Sequence, residues 1–518
     1  MRRLFQRQDF IFVAIFIFGA GVTLLSGLYT NFHVAGNDFW GVLYYGRHIN
    51  LEQKESFYNG FFPIGYAFLI GQFPYAYAVQ LAYLTNALLA GLFVASVSSL
   101  VAASRSIPAT IFALVTSVTA PIVFIYSNTV GPDLGTAAFS AFAIYLLWND
   151  ELKEFYKSTS LLHSVLIGAS LGLAVLWRSH AIAIVLSILI VSFWLLGIHP
   201  LRTRVLIILS FLAVVSIQVI ANLISGHGAL ETAQNFNIYK FLYGVDWTYP
   251  PSPAEIARFS LLDVFRDDPR RVMDAYILPF RSLVYYAWPG LACFLIAPGN
   301  SAVKKYGLFS ALVTILYAIP LALGDSPRAP LTIMGLFISS LALILVALRE
   351  RFQSRAGSVK WLPAALTIAF FIVSAKPIYL WAVQDWEFLQ ENRAQNRVFN
   401  SIEQLLLSKG VTSPTQVYAD KYELYFPHTL PYQARQIGGW SIEWLWGYTA
   451  EYPVLPNDSW DSFRQACREQ GIEYLIISPQ AAFKGEFFNS IYEDDFDGAV
   501  WGLEFVAQRA KMRIYRIK

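Results

Sequence analysis

The sequence predicts a mainly α-helical, multi-pass transmembrane protein carrying a small C-terminal α/β domain. Three observations carry that expectation. First, 56% of the 518 residues are hydrophobic and only 14% are charged, with a mean hydropathy of +0.46. Soluble domains carry about 25% charge. Second, long apolar runs recur up to residue 382, and none beyond it is long enough to cross about 30 Å of hydrocarbon. Third, the charge divides at the same place. Residues 1–382 hold 25 Lys and Arg against 17 Asp and Glu, whereas residues 383–518 hold 13 against 18. A transmembrane domain over 1–382 and a soluble domain over 383–518 are therefore expected.

Eleven spans are predicted, near 10–29, 75–100, 107–126, 134–148, 161–177, 181–198, 205–224, 282–298, 308–323, 330–348 and 361–382. The first reads as a retained anchor, because its apolar stretch is too long for a cleaved leader and no small-residue cleavage site follows. Lys and Arg in short loops set orientation. Arg2, Arg3 and Arg7, then Arg105, Lys153 and Lys157, Arg202 and Arg204, Lys304 and Lys305, and the run from Arg349 to Lys360 all fall on one side. The expected arrangement in the plasma or inner membrane puts the N-terminus in the cytoplasm. It puts the C-terminal domain outside, together with two long loops, 30–74 and 225–281.

The first of these loops contains His33, Asn37, Asp38, Arg47, His48 and the segment Phe61-Phe62-Pro63-Ile64-Gly65-Tyr66. The second is rich in aromatics, among them Phe236, Tyr239, Phe241, Tyr243, Trp247 and Tyr249. There Ser252 and Glu255 form a capping-box pattern ahead of Ile256, Phe259, Leu262 and Phe265 at helical spacing. An amphipathic helix on the outer membrane surface is expected from them. In the tail, Val398, Ile402, Leu405 and Leu406 recur at helical spacing, Trp460–Gln470 reads as a helix, and Gln416–Ala419, Tyr474–Ile477 and Lys511–Ile517 read as strands.

Several functions are disfavoured at this level. A net charge of +3 leaves no nucleic-acid footprint. Cys293 and Cys467 lie too far apart in kind, one in an apolar span and one in the polar tail, for a disulfide or metal framework. No Gly-rich phosphate loop is present, and no metal or other cofactor is expected. The acids Asp494, Asp495 and Asp497 read as a solvated loop, and Asn457-Asp458-Ser459 is a glycosylation sequon by pattern only.

The informative residues are ionisable groups at the outer ends of spans: Asp38, Asp133, Arg178, His180, Arg281, Asp325 and Arg328. Each alone is as readily an interfacial anchor or a structural pair. Together, acids and bases on one membrane face point to a site. Arginine forks suit a phosphate, and a carboxylate beside them suits a general base for a hydroxyl. Nucleotide-activated compounds are not normally available on the outer face, which leaves a membrane-anchored phosphate compound as the expected substrate.

In these residues the chain resembles the GT-C superfamily of integral-membrane glycosyltransferases, in the branch of protein O-mannosyltransferases and the aminoarabinose transferase of lipid A. The matching parts are Asp38 early in the first outer loop, Pro63-Ile64-Gly65-Tyr66 before the second span, Pro132-Asp133, Arg178, and Gly324-Asp325-Ser326-Pro327-Arg328-Ala329-Pro330. The resemblance implies inverting transfer of a hexosyl or pentosyl group from a polyprenyl-phosphate donor to a lipid, glycan or protein hydroxyl. It implies Asp38 as base, with Asp133 orienting the acceptor, the sugar or an arginine. Arg178 and Arg328 would hold the departing phosphate, with His180, Arg281, Asp325, Tyr66 and Trp247 on the substrate and membrane lipids around the whole. Two other readings stay open: a transporter or flippase for a lipid-linked saccharide, and an inactive GT-C-like scaffold of envelope glycan assembly.

Overall fold

The computed structural model describes residues 2–32, 39, 42–43, 46, 63–74, 77–152, 161–226, 228–229, 234–244, 255, 258–299, 301–322, 328–353, 362–419, 455–456, 458–479 and 486–518. Helices follow the apolar runs, because in hydrocarbon each backbone N–H and C=O must be satisfied within its own segment. In chain order they are α1 (Arg2–Thr30), α2 (Ile64–Gly71), α3 (Ala78–Ala102), α4 (Ile107–Thr119), α5 (Pro121–Asn128), α6 (Asp133–Leu152), α7 (Leu161–Trp177) and α8 (Ala181–Leu189). After α8, which continues as a π-helical turn over Ile190–Leu195, come α9 (Leu201–Ile224), α10 (Gln234–Tyr243), α11 (Leu261–Asp267) and α12 (Pro269–Tyr285). The helical body closes with α13 (Trp288–Ile296), α14 (Ala302–Leu321), α15 (Ala329–Gln353) and α16 (Leu362–Ser408).

Among the described residues, six helices are long and apolar enough to cross a membrane, and seven if α4 and α5 count as one broken span. The difference from the eleven predicted segments has identifiable causes. The segment 107–126 bends by 51° between α4 and α5, because Pro121 cannot donate to the helix before it and Ala120 turns extended. The segment 282–298 is divided between α12 and the nine-residue α13. The helices α7 and α8 are apolar but short.

Burial orders the bundle. In α3 and α15, 78% and 83% of the apolar window lies inside the protein, against 22% in α9 and 28% in α1. The first two are central columns and the last two form the perimeter. One continuous apolar core joins α3, α6, α7, α8, α14 and α15.

The start of the amphipathic helix expected from Ser252, with Ser252 and Ile256, lies outside the described residues. Glu255 and Arg258 are helical, whereas Phe259 and Ser260 interrupt the helix expected to run on to Phe265. The described helix α11 starts at Leu261, where the Ser260 hydroxyl accepts from the Asp263 N–H. Asp268 then caps α12 by accepting from the Arg271 N–H. The cap at Ser260 thus starts a new helix within what periodicity alone reads as one, and the second cap, eight residues later, starts another.

Helix α16 has 47 residues, which at 1.5 Å per residue is about 70 Å, more than twice the hydrocarbon thickness. The boundary expected at 382 falls inside it. Beyond it β1 (Val417–Ala419), the helix α17 (Trp460–Glu469), β2 (Tyr474–Ile477), β3 (Leu503–Arg509) and β4 (Met512–Ile517) build a sheet in the order β1-β2-β4-β3. The β1 and β2 strands run parallel, and the other pairs antiparallel. Phe399, Ile402 and Leu406 of α16 cover one face, against Val417, Ile476 and Ile514. Phe463 and Cys467 of α17 cover the other, against Leu475 and Tyr515. The same stretch of α16 reaches back to the bundle. The Asn396 side-chain amide donates to the carbonyls of Thr30 and Asn31, at 2.9 and 2.7 Å, where α1 gives way to the first long loop.

Candidate functional site

Three ends of helices bring three charges together. Asp133 is the first residue of α6, a position where the helix dipole favours a carboxylate. Arg178 directly follows the last residue of α7, and Arg328 directly precedes α15. Asp133 Oδ1 lies 3.0 Å from Arg178 Nε, and Oδ2 lies 3.4 Å from Arg328 Nη1. Side-chain exposure is 10% for Asp133, 16% for Arg178 and 30% for Arg328, so the cluster is deep at the aspartate and opens toward Arg328. The Tyr126 hydroxyl on α5 accepts a further hydrogen bond from Arg328.

The local backbone is held by a polar clamp from the core. Asn86, fully buried on α3, donates its amide to the carbonyls of Tyr126, Ser127 and Thr129 at 3.3, 3.3 and 2.8 Å. The Tyr83 hydroxyl donates to the Asn128 carbonyl at 2.9 Å. These carbonyls belong to the end of α5, where no helical partner remains. The clamp fixes the short connection that leads into Asp133.

Close packing then sets Trp177 and Tyr66 beside the cluster. A Cβ on Gly135 would lie 2.1 Å from the Trp177 indole, so only glycine lets that ring rest on the first turn of α6. Phe139 meets the same indole edge-on at 5.1 Å, and the Tyr66 ring lies 5.9 Å from it. Gly65 permits α2 to touch the Leu176 carbonyl. The Ile64 N–H donates to Gln218 Oε1 at 3.0 Å, which anchors the start of α2 on α9. The Tyr66 hydroxyl and the Trp177 indole N–H are buried, with no hydrogen-bond partner among the described residues.

Electrostatics follow from this arrangement. Burial and then the Asp133 charge push the Tyr66 hydroxyl well above its ordinary range, against the opposing pull of Arg178. His180, in the turn between α7 and α8, is pushed down to about 4. Burial is the main cause and the Arg178 charge the next, with Asp133 opposing. It is neutral at neutral pH. Two guanidiniums against one carboxylate leave the described cluster with one positive charge in excess. Such a site favours an anion with several acceptor oxygens.

Of the residues singled out in the sequence, Asp133, Arg178 and Arg328 form one ion-paired cluster, and Tyr66 and His180 feel its charges. Arg281 is exposed on α12 and makes no ion pair among the described residues. Asp38, Asp325 and Trp247, with His33 and His48, lie outside the described residues. Sequence reading passed over Tyr126, Trp177, Gly135 and Asn86. The adjacency of Trp177 to Arg178, and of Gly135 to Asp133, was the available signal.

No family model and no curated protein matches the chain. Among solved structures it is similar to ArnT from Cupriavidus metallidurans bound to undecaprenyl phosphate, with a TM-score of 0.52 and 13% identity over 97% of both chains. The apo state of the same protein gives 0.51 and 13% over the same shares. Archaeal oligosaccharyltransferase AglB from Archaeoglobus fulgidus, in complex with an inhibitory peptide and a dolichol-phosphate, gives 0.42 and 13%, covering 97% of this chain and 74% of that one.

Proposed function

We propose that this chain, whose fold is of the GT-C type, is an inverting glycosyltransferase that moves a sugar from a polyprenyl-phosphate donor to a hydroxyl acceptor at the outer membrane face. The observation that carries the reading is the cluster of Arg178 and Arg328 on one carboxylate, with its excess positive charge at the ends of three helices. A fold shared with a protein solved with undecaprenyl phosphate bound supports a lipid phosphate as its ligand.

In this reading the acceptor hydroxyl loses its proton to Asp38 while its oxygen bonds to the anomeric carbon. The bond from that carbon to the phosphate oxygen breaks, and the electron pair leaves with the lipid phosphate. Arg178 and Arg328 receive the growing negative charge in a partly buried site, where fixed donors stabilise it more than in open solvent. Asp133 holds both guanidiniums in place, and Tyr66 and His180 border the sugar. His180, being neutral, adds a hydrogen-bonding group without repelling the arginines. The sheet domain and the long loops share the outer side, and the N-terminus is cytoplasmic.

The test is Asp38→Asn in the full chain. A general base contributes about 10²–10⁴-fold, so sugar transfer from a polyprenyl-phosphate donor should fall by that factor while binding of undecaprenyl phosphate persists. A folded variant with full transfer activity would refute Asp38 as base.

A further inference from the structure

Away from the charge cluster, the second long loop builds a groove of its own. It is a cavity of about 460 Å³ between α10, the residues around Phe259 and the junction of α11 with α12, within the range of about 300–1,000 Å³ that small-molecule sites occupy. One wall is aromatic. The Tyr239 and Tyr243 rings lie 4.6 Å apart, and Phe259 meets Tyr239 edge-on at 5.4 Å. The groove's lining also includes Asp263 and Asp267.

The charges of the groove argue against a phosphate ligand. Its lining holds the four carboxylates of Glu255, Asp263, Asp267 and Asp268 against the guanidiniums of Arg258 and Arg271. Arg271 is already engaged, 3.3 Å from Asp268 Oδ2 and 5.0 Å above the Tyr243 ring. An anion would enter a net negative field. Aromatic faces flanked by acceptor-rich carboxylates suit instead a neutral or cationic polyhydroxylated ring, whose C–H face stacks while its hydroxyls donate outward.

The apolar surroundings place this groove at an interface. Next to it, Leu262 is 76% exposed and Phe265 47%, and along α12 Ile277 is 53% and Leu278 72% exposed. Large apolar side chains on two helices that also carry Arg266, on α11, and Arg270, on α12, are what a surface meeting lipid requires.

We infer that the groove bounded by Tyr239, Tyr243, Phe259 and Asp263 is a saccharide-binding subsite, separate from the arginine cluster. It rests on the proposed glycosyl transfer only in its use: it would hold the acceptor's sugar portion. The same chemistry is offered by a free oligosaccharide or by the head of a glycolipid.

The test is glycan binding by the full chain in a sugar-free amphipol. The probes are an array of neutral and amino-sugar oligosaccharides, and the same oligosaccharides as neoglycolipids in phosphatidylcholine vesicles. Wild type should bind saccharides from the array, and inorganic phosphate should not compete. Tyr243→Ala should lose at least tenfold in affinity, and Tyr243→Phe should retain it. Tyr243 is 42% exposed, so its truncation leaves the fold intact, checked by an unchanged melting temperature. Tighter binding of the vesicle form, still lost in Tyr243→Ala, assigns the groove to a glycolipid head; equal binding of both assigns it to the sugar alone. No saccharide binding, competition by phosphate, or binding indifferent to Tyr243→Ala overturns the inference. Because the array reads saccharide binding with no polyprenyl-phosphate donor present, a failure of the glycosyltransferase reading leaves the groove result standing, and the reverse also holds.

Discussion

Removing Arg328 separates the ligand-binding role of the cluster from its structural role. In Arg328→Ala, Asp133 keeps its shorter contact to Arg178 at 3.0 Å and loses only the 3.4 Å contact to Arg328. Because Arg328 is 30% exposed, that loss should cost the fold only about 1 kcal/mol. The ligand should feel more. The remaining pair is formally neutral, and a hydrogen bond between charged groups is worth about 1.5–3 kcal/mol. At about 1.4 kcal/mol per tenfold, this predicts a 10- to 150-fold weaker affinity for undecaprenyl phosphate, with the neutral prenol unaffected. The assay is a thermal-shift titration of the purified full chain with each lipid. Arg328→Lys should recover only part of the loss, since a point charge replaces a two-pronged donor. If both lipids stabilise wild type and Arg328→Ala equally, the arginines are structural and the phosphate site is elsewhere.

Three further perturbations test the surroundings of the cluster. The folded His180 takes a proton only near pH 4, whereas the unfolded chain takes one near 6.5, so the unfolded state binds more protons between those values. Stability should therefore fall as pH drops from 6.5 to 4, and His180→Asn should flatten the melting-temperature profile over that window; an unchanged slope refutes the assignment. Gly135→Ala drives a Cβ into the Trp177 indole, 2.1 Å away, and overpacking of this kind costs about 1–3 kcal/mol. Its thermal midpoint should drop and its lipid-phosphate affinity weaken together, while an unperturbed midpoint would mean that the ring moves freely. Asn86→Ala strands three carbonyls that the amide now satisfies. Denaturant or thermal unfolding should show a loss of about 1–3 kcal/mol, and a neutral result would mean that water replaces the clamp.

Much of the helical body is legible residue by residue. A span such as Ala78–Ala102 is a 25-residue helix because its apolar run leaves the backbone no other way to satisfy its hydrogen bonds. In the tail, Ser459 caps α17, and the apolar run Tyr474–Ile477 is a strand with all four residues buried. Breaks are harder to read. Pro121 announces the bend between α4 and α5, whereas the interruption at Phe259 and Ser260, where Ser260 caps a new helix, has no proline to mark it.

For the candidate site, the sequence by itself determined which residues to consider. An Asp or Arg at the end of an apolar run stands out because such a charge is expensive there and persists only with a partner or a ligand. Pairing was decided by the tertiary structure alone. Asp133 meets Arg178, 45 residues later, and Arg328, 195 residues later, while Arg281 remains exposed on α12. Those contacts depend on how α6, α7 and α15 end against one another, on Asn86 holding the α5 carbonyls, and on Gly135 admitting the Trp177 ring. Each is a matter of close packing between segments distant in the chain, where a few tenths of an ångström decide what fits.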